Sequence, residues 1–202
     1  KQGAAFYREM GRMHGVRFTS LHLPRIDDNI DMTLGQAIET VRFASHLGAS
    51  IVIFKAASRE LYKQAAPALL DEAEALGLTV AVQNHAGSPI SSLDDYRRVL
   101  EDVGDPRLEA ILEVGHFEKV GVPWRDGYKL RKDRIALVHI KDIADGASVP
   151  YGTGQVDLPS VFRTLTDGGD YVVEIEIRDP ADPLGHLRHA VEYLRTHCLS
   201  PR

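Results

Sequence analysis

Six short apolar segments rich in β-branched residues recur along the chain at a nearly constant interval, and that interval limits the possible folds more than any other feature. They read "VRFTSLHL" (16–23), "SIVIFKA" (50–56), "TVAVQNH" (79–85), "EAILEVGH" (109–116), "IALVHIKD" (135–142) and "YVVEIEI" (171–177). Their starts lie 34, 29, 30, 26 and 36 residues apart. Helical patterns at 33–47, about 59–76, 92–103, about 124–133, 158–167 and 183–196 lie between and after them. Gly48 and Gly77 stand just past two of these helices, where a C′ glycine belongs, and Ser92 with Asp95 reads as a capping box. Strand and helix alternating at this spacing mean parallel βαβ units, because two parallel strands can be joined only by a long crossover.

Such units build either an open doubly wound sheet or a closed barrel. No GxGxxG follows the first segment, so the dinucleotide-binding form of the open sheet lacks its main signal. The segments start apolar and end in polar or ionisable groups: His22, Lys55, Gln83 with His85, Glu113 with His116, His139 with Lys141, and Glu174 with Glu176. In a (β/α)8 TIM barrel all strand C-termini open on one face, where the active site lies. Residues two apart on a strand share a face, so Gln83 pairs with His85, His139 with Lys141 and Glu174 with Glu176 on one side. The expected fold class is therefore α/β, a (β/α)8 TIM barrel. Six strands are two too few, and "KQGAAFYREMGRMHG" starts without Met and reads as the middle of an amphipathic helix ending at Gly15. The expectation is one barrel domain over 1–202, N-terminally incomplete and present as a six-unit (β/α) portion.

Charge and cysteine content narrow the function classes. The net charge of the 202 residues is −5 with no long basic run, which argues against a nucleic-acid partner or an anionic membrane surface. A single cysteine, Cys198, precludes an internal disulfide framework, and there is neither a secretory segment nor an apolar run of bilayer length. These features point to a cytoplasmic protein with a small-molecule partner, and leave a homo-oligomer open.

Gln83, Glu113, His139 and Glu174 end four consecutive strands, 30, 26 and 35 residues apart. A lone histidine in an apolar strand is commonly a satisfied core residue, and a lone glutamate commonly pairs with a basic neighbour. Four such residues at successive strand ends instead suit a divalent cation, Mn²⁺, Mg²⁺, Co²⁺ or Zn²⁺, held by one imidazole, two carboxylates and an amide oxygen.

"LTVAVQNH", "ILEVGH", "LVHIKD" and "YVVEIE" resemble, in this order, strand ends of the xylose isomerase-like TIM barrels. That superfamily includes sugar and sugar-phosphate isomerases and epimerases, inosose dehydratases and AP endonucleases. The resemblance covers nearly the whole chain, as units three to eight of the barrel, and "VPYGTGQVDLPSVFRTL" is similar to the family's connection before the last unit. It implies a metal site of four ligands. The family's first Glu, in a Glu-Asn-His context, falls on Gln83, and its Asp, in an Asp-x-Gly-His context, falls on Glu113. Its His-x-Lys-Asp histidine falls on His139 and its last Glu on Glu174, with Glu176 the alternative if the register slips.

Two of these positions depart from the pattern. Glu113 carries one more methylene than Asp, so it must fold back or displace the ion. Gln83 can offer an oxygen but no charge, which weakens the binding of a hard cation. An amide cannot act as a base either, so Gln83 disfavours an epimerisation in which two glutamates work on opposite faces of the substrate.

The resemblance implies a metal-dependent isomerase or epimerase of a sugar, sugar phosphate or cyclitol, acting through a metal-stabilised enediolate. Glu174 would be ligand and base, and His85 or Lys141 would serve the opposite face, with His22, Lys55, His116 and Glu176 contacting substrate. Competing roles are structural: a salt bridge from Lys141 to Glu113, Glu174 or Asp142, a loop contact for His85, and for Glu176 a pairing with Lys141 or Arg178. The "YGTG" turn (151–154) could cradle a phosphate or be simply a turn. Alternative readings are an inosose dehydratase-like lyase and a non-catalytic sugar-binding barrel with a degenerate site. The AP endonuclease reading fails on the loop "ADGASVPYGTGQ", which lacks the Asp-x-His that the trinuclear zinc site of that branch requires.

Overall fold

The computed structural model describes residues 2–165, 171–177 and 181–199. It divides into two compact units, the first formed by Lys1–Gln83, Gly87–Ile90 and Asp94–Ala110, the second by Asn84–Ala86, Ser91–Leu93 and Ile111–Arg202.

The first unit runs α1 (Gln2–Met13), β1 (Ser20–His22), α2 (Ile30–Leu47), β2 (Ile51–Phe54), α3 (Arg59–Ala75), β3 (Thr79–Gln83), α4 (Leu93–Val103, all but its first residue) and the start of β4 (Leu108–Glu113). Its sheet order is β1-β2-β3-β4. Ser20 pairs in parallel with Ile51, and Ile51 with Thr79. Every residue of β2 is buried, as expected of a parallel strand covered on both faces. α2 buries Ala37, Val41, Ala44 and Leu47, and α3 buries a longer stripe from Leu61 to Ala73. Gly48 ends α2 at φ 93°, a left-handed conformation in which its N–H reaches Ala44 O at 3.0 Å. The Ser58 side chain caps α3 by accepting from Leu61 N.

The second unit takes up the end of β4 and continues with α5 (Val114–Lys119), α6 (Trp124–Arg131), a 3₁₀ turn (Lys132–Arg134), β5 (Ile135–Ile140), β6 (Asp142–Ala144), β7 (Ala147–Val149), α7 (Leu158–Thr164), β8 (Tyr171–Val173) and α8 (Pro183–His197). Its sheet order is β4-β5-β8, and His139 pairs in parallel with Val172. Six sheet strands and the helices between them thus match the six expected βα units. No helix among the described residues is long and apolar enough to cross a membrane.

Four local expectations are corrected. The first segment is a strand only over Ser20–His22, which pair with Ile51–Ile53 of β2; beyond it only an isolated bridge from Ile26 to Ala56 continues the pairing among the described residues. The fourth does not stay extended to His116: β4 ends at Glu113, whose own carboxylate accepts from Gly115 N and starts α5. The fifth is followed by an antiparallel hairpin, β6–β7, which turns on Asp145 (φ 51°) and Gly146 (φ 72°). Two successive positive φ values are what a two-residue hairpin turn with right-handed twist demands. The sixth segment is a strand only over Tyr171–Val173, so Glu174 and Glu176 lie past β8 rather than on its face. The last two residues of the expected helix 158–167 lie outside the described residues.

Candidate metal centre

The centre lies within the second unit, and hydrogen bonding at the end of β4 sets it up. The Asn84 amide grips the main chain of Glu113 on both sides: Asn84 Nδ2 donates to Glu113 O, and Glu113 N donates to Asn84 Oδ1, both at 2.9 Å. Both residues are fully buried. Glu113 Oε1 accepts from Gly115 N at 3.2 Å, so the longer side chain folds back over the head of α5. Its other oxygen, Oε2, is left facing His139 and Lys141.

His139 comes from β5, and Glu174 follows β8, where its N–H donates to Ile140 O at 2.9 Å. His139 Nδ1 lies 2.7 Å from Glu174 Oε1 and 3.6 Å from Glu113 Oε2. Glu113, His139 and Glu174 can each present a ligand atom, all within 4.8 Å of one another, and they form the one such His/Cys/Asp/Glu group among the described residues. Lys141, just past the end of β5, ends at the same carboxylates. Its Nζ is 2.7 Å from Glu174 Oε2, 2.6 Å from Glu176 Oε2 and 3.4 Å from Glu113 Oε2.

The electrostatics of the group favour a cation. Burial pushes the Glu113 carboxyl up, and the Glu174 charge adds to this against the opposing pull of His139. Burial would raise Glu174 as well, but hydrogen bonds with His139 and Glu113 and the charge of Lys141 hold it well below the usual carboxylate range. Burial works against the charged form of His139, yet Glu113 and Glu174 hold it up to about 9. Lys141 is raised too, since the Glu113 and Glu174 charges outweigh its desolvation. With His139 neutral, three carboxylates and one ammonium leave two negative charges in a mostly buried cluster. Without a metal, a retained proton offsets part of that excess; a divalent ion would match it. The donor set therefore fits a divalent cation, and Glu113, His139 and Glu174 are the residues that would hold it.

A pair of imidazoles flanks the cluster. His116, carried by α5 and buried, lies against the exposed His85 with ring centroids 3.8 Å apart and the planes tilted by 39°. His116 Nε2 is 3.4 Å from Lys141 Nζ, while its Nδ1 is buried and makes no hydrogen bond. Burial, then Lys141 and His85, push His116 down to about 3, so it is a neutral imidazole at physiological pH. β3 ends at Gln83, so His85 lies past the strand rather than on its face, and its Nδ1 lies 2.9 Å from Ala86 O.

Seven of the ten candidate residues are thus in the second unit: His85, Glu113, His116, His139, Lys141, Glu174 and Glu176. Glu176 meets Lys141, and Arg178, its other expected partner, lies outside the described residues. His22, Lys55 and Gln83 belong to the first unit, each at or just past the end of its strand, with Gln83 buried.

Three of the four "YGTG" N–H groups are already used, that of Thr153 by Pro150 O at 3.1 Å. The buried Asp142 carboxylate accepts from Gly152 N and Gly154 N at 2.9 Å, from Ile143 N at 3.0 Å and from Val156 N at 3.2 Å. That overturns the phosphate-cradle option and places Asp142 in the loop rather than against Lys141. Tyr151 Oη lies 2.5 Å from Ile140 O and 3.1 Å from Glu174 O, bridging the main chain that carries Lys141 to the one that carries Glu174. The sequence reading had no role for Asn84, Gly115 or Tyr151. Only Asn84 left a signal, as a polar residue in the buried tail of an apolar strand.

Residues 5–197 match the family model described as xylose isomerase-like TIM barrel. Inosose dehydratase from Geobacillus thermodenitrificans (strain NG80-2) is 26% identical over 153 residues, 63% of this chain and 51% of that protein. The chain thus spans about half the length of that relative. Among solved structures, that of the IolI protein with a zinc atom superposes with a TM-score of 0.80 at 14% identity, covering 96% of this chain and 81% of that one. That of 3-keto-D-glucoside 4-epimerase YcjR from E. coli gives 0.77 at 19% identity, covering 94% and 82%. With its six βα units and α/β sheet, the chain belongs to the xylose isomerase-like TIM barrel family.

Proposed function

We propose that this chain is part of a metal-dependent isomerase or epimerase acting on a sugar, a sugar phosphate or a cyclitol, by proton abstraction next to a carbonyl. The observation that carries this reading is the convergence of Glu113, His139 and Glu174 ligand atoms within 4.8 Å of one another. A divalent cation held there would act as a Lewis acid on adjacent substrate oxygens. Glu174, kept ionised by His139 and Lys141, would be both ligand and base. Lys141 stays an ammonium among three carboxylates, so it donates hydrogen bonds and does not take protons. The neutral His116, in tilted contact with His85, offers a donor or acceptor to a hydroxyl, and His85 is the exposed imidazole for the opposite face.

A dehydratase is the second reading, and Gln83 favours it. An amide at the first carboxylate position removes one of two opposed bases, whereas expulsion of water after a single abstraction needs only one base and one acid. The 26% identity to an inosose dehydratase supports the same alternative. Both readings predict that a keto-sugar or keto-cyclitol exchanges its α-proton in D₂O in the presence of Mn²⁺ or Zn²⁺. Product analysis then separates them: an epimer or isomer supports the first, and a product lighter by one water supports the second. Glu174→Gln should lower turnover by at least 10³-fold, the order expected for loss of a base that is also a ligand. Turnover surviving in that variant would sink the assignment, and a protein that takes up no metal and exchanges no proton would be a binding barrel instead.

A further inference from the structure

The ammonium of Lys141 sits where the metal reading needs room. Its Nζ lies 2.7 Å from Glu174 Oε2 and 3.4 Å from Glu113 Oε2, so it pairs with two of the three side chains that would hold the ion. The side chain is almost completely buried, and its position is built into the fold. Gly115 makes that seat possible: a Cβ there would overlap Lys141 Cγ and stand 3.0 Å from Cδ, so the lysine stem crosses directly over the glycine. Two observations on different elements, the ion pairs at the head and the close approach along the stem, therefore describe one seat. A third contact, Glu176 Oε2 at 2.6 Å, lies on the more exposed side of the same ammonium.

We infer that Lys141 is an internal counter-cation of this centre, which neutralises Glu113 and Glu174 when no metal is bound and is exchanged for the ion on binding, retaining Glu176 as its partner. The inference rests on the metal-dependent reading above. Two cations cannot share the same carboxylates without strong repulsion at separations of a few ångströms in a desolvated site. The native side chain thus lowers metal affinity but protects the metal-free fold from buried, unpaired negative charge. Its presence makes the site a reversible one rather than a permanent cage.

Calorimetric titration of the full chain with Mn²⁺, and separately Zn²⁺, tests this against Lys141→Met, which keeps the length of the stem and removes the charge. The expected result is an affinity at least about 10-fold tighter than native, from loss of the competing charge. It should come with a lower melting temperature for the metal-free variant and little difference between the metal-loaded proteins, because the lysine matters in one state only. Gly115→Ala is the second variant, in case the first does not fold. It keeps the ammonium but displaces the stem, and should tighten binding in the same direction by less. Native-like or weaker binding in both variants overturns the inference while leaving the metal reading intact. Failure of native and variant proteins alike to take up either ion overturns both.

Discussion

Asn84 shows how much of this centre is carried by a residue that would not itself touch a metal. Its amide makes one donor and one acceptor bond to the same residue, Glu113, at the place where β4 becomes α5. Buried main-chain groups must be paired, and a side chain that pairs an N–H and a C=O together also fixes the direction of the chain there. Asn84→Ala should therefore cost roughly 2–4 kcal/mol in urea denaturation, from two buried polar groups losing their side-chain partner. Asn84→Asp separates the two bonds, since a carboxylate accepts from Glu113 N but cannot donate to Glu113 O. It should be almost as damaging, and a loss below about 0.5 kcal/mol in either variant would show that the clamp is dispensable. Strand parity explains why the sequence left Asn84 without a role. A strand running on to His85 would put Gln83 and His85 on one face and turn Asn84 away from the pocket, but β3 ends at Gln83 and Asn84 turns to β4 instead.

At the level of elements, the loop between β5 and α7 acts as a brace. Asp142 collects four backbone N–H groups, three of them from beyond the β6–β7 hairpin, and Tyr151 Oη contacts Ile140 O and Glu174 O. Gly154 has to be glycine, because a Cβ would overlap the Asp142 carboxylate. Hydrogen bonds to a charged acceptor are worth about 1.5–3 kcal/mol each, so Asp142→Ala should destabilise by roughly 3 kcal/mol or more. Amide exchange should rise first over 143–156, before the rest of the second unit. Unchanged protection there would mean that the hairpin alone holds the loop. This brace was only partly legible. The Asp-Gly pair at 145–146 is a hairpin signal, but its flanking runs are three residues long and too short to show alternation. The acceptor of the "YGTG" N–H groups could not be read, because it lies ten residues upstream of Gly152 in the same chain and competes with any anion for the same donors.

For the whole molecule, the interval between apolar segments made the parallel βαβ units legible, since parallel strands need crossovers of nearly constant length, and the polar groups at the segment ends chose the barrel over the open sheet. Glu113, His139 and Glu174 were legible for the same reason, as each stands at the end of a strand. The balance of charge among them was not, because it depends on Lys141 reaching three carboxylates, and on burial that no periodicity records. That balance gives the stability of the protein a definite pH dependence. Glu174 is held below its unfolded value, so its contribution is present above about pH 4.5 and is lost as pH falls through its folded value. His139 is held up to about 9 against an unfolded value of 6.5, so its contribution is complete below about 6.5 and is lost as pH rises through 9. A metal needs His139 neutral, so binding must expel that proton; above about pH 7.5, where Glu113 has given up the proton that burial favours, apparent affinity should climb until about pH 9. At an ion concentration 100-fold above the dissociation constant, linkage supplies about 2.7 kcal/mol, or roughly 5–10 °C in melting temperature for a chain of this size. The metal-induced rise in melting temperature should therefore grow with pH at fixed Mn²⁺, with close to one proton released per ion in buffers of different ionisation heat. His139→Gln should abolish both the pH dependence and the proton release. A melting shift that is the same at both pH values in the native protein would remove His139 from the ligand set.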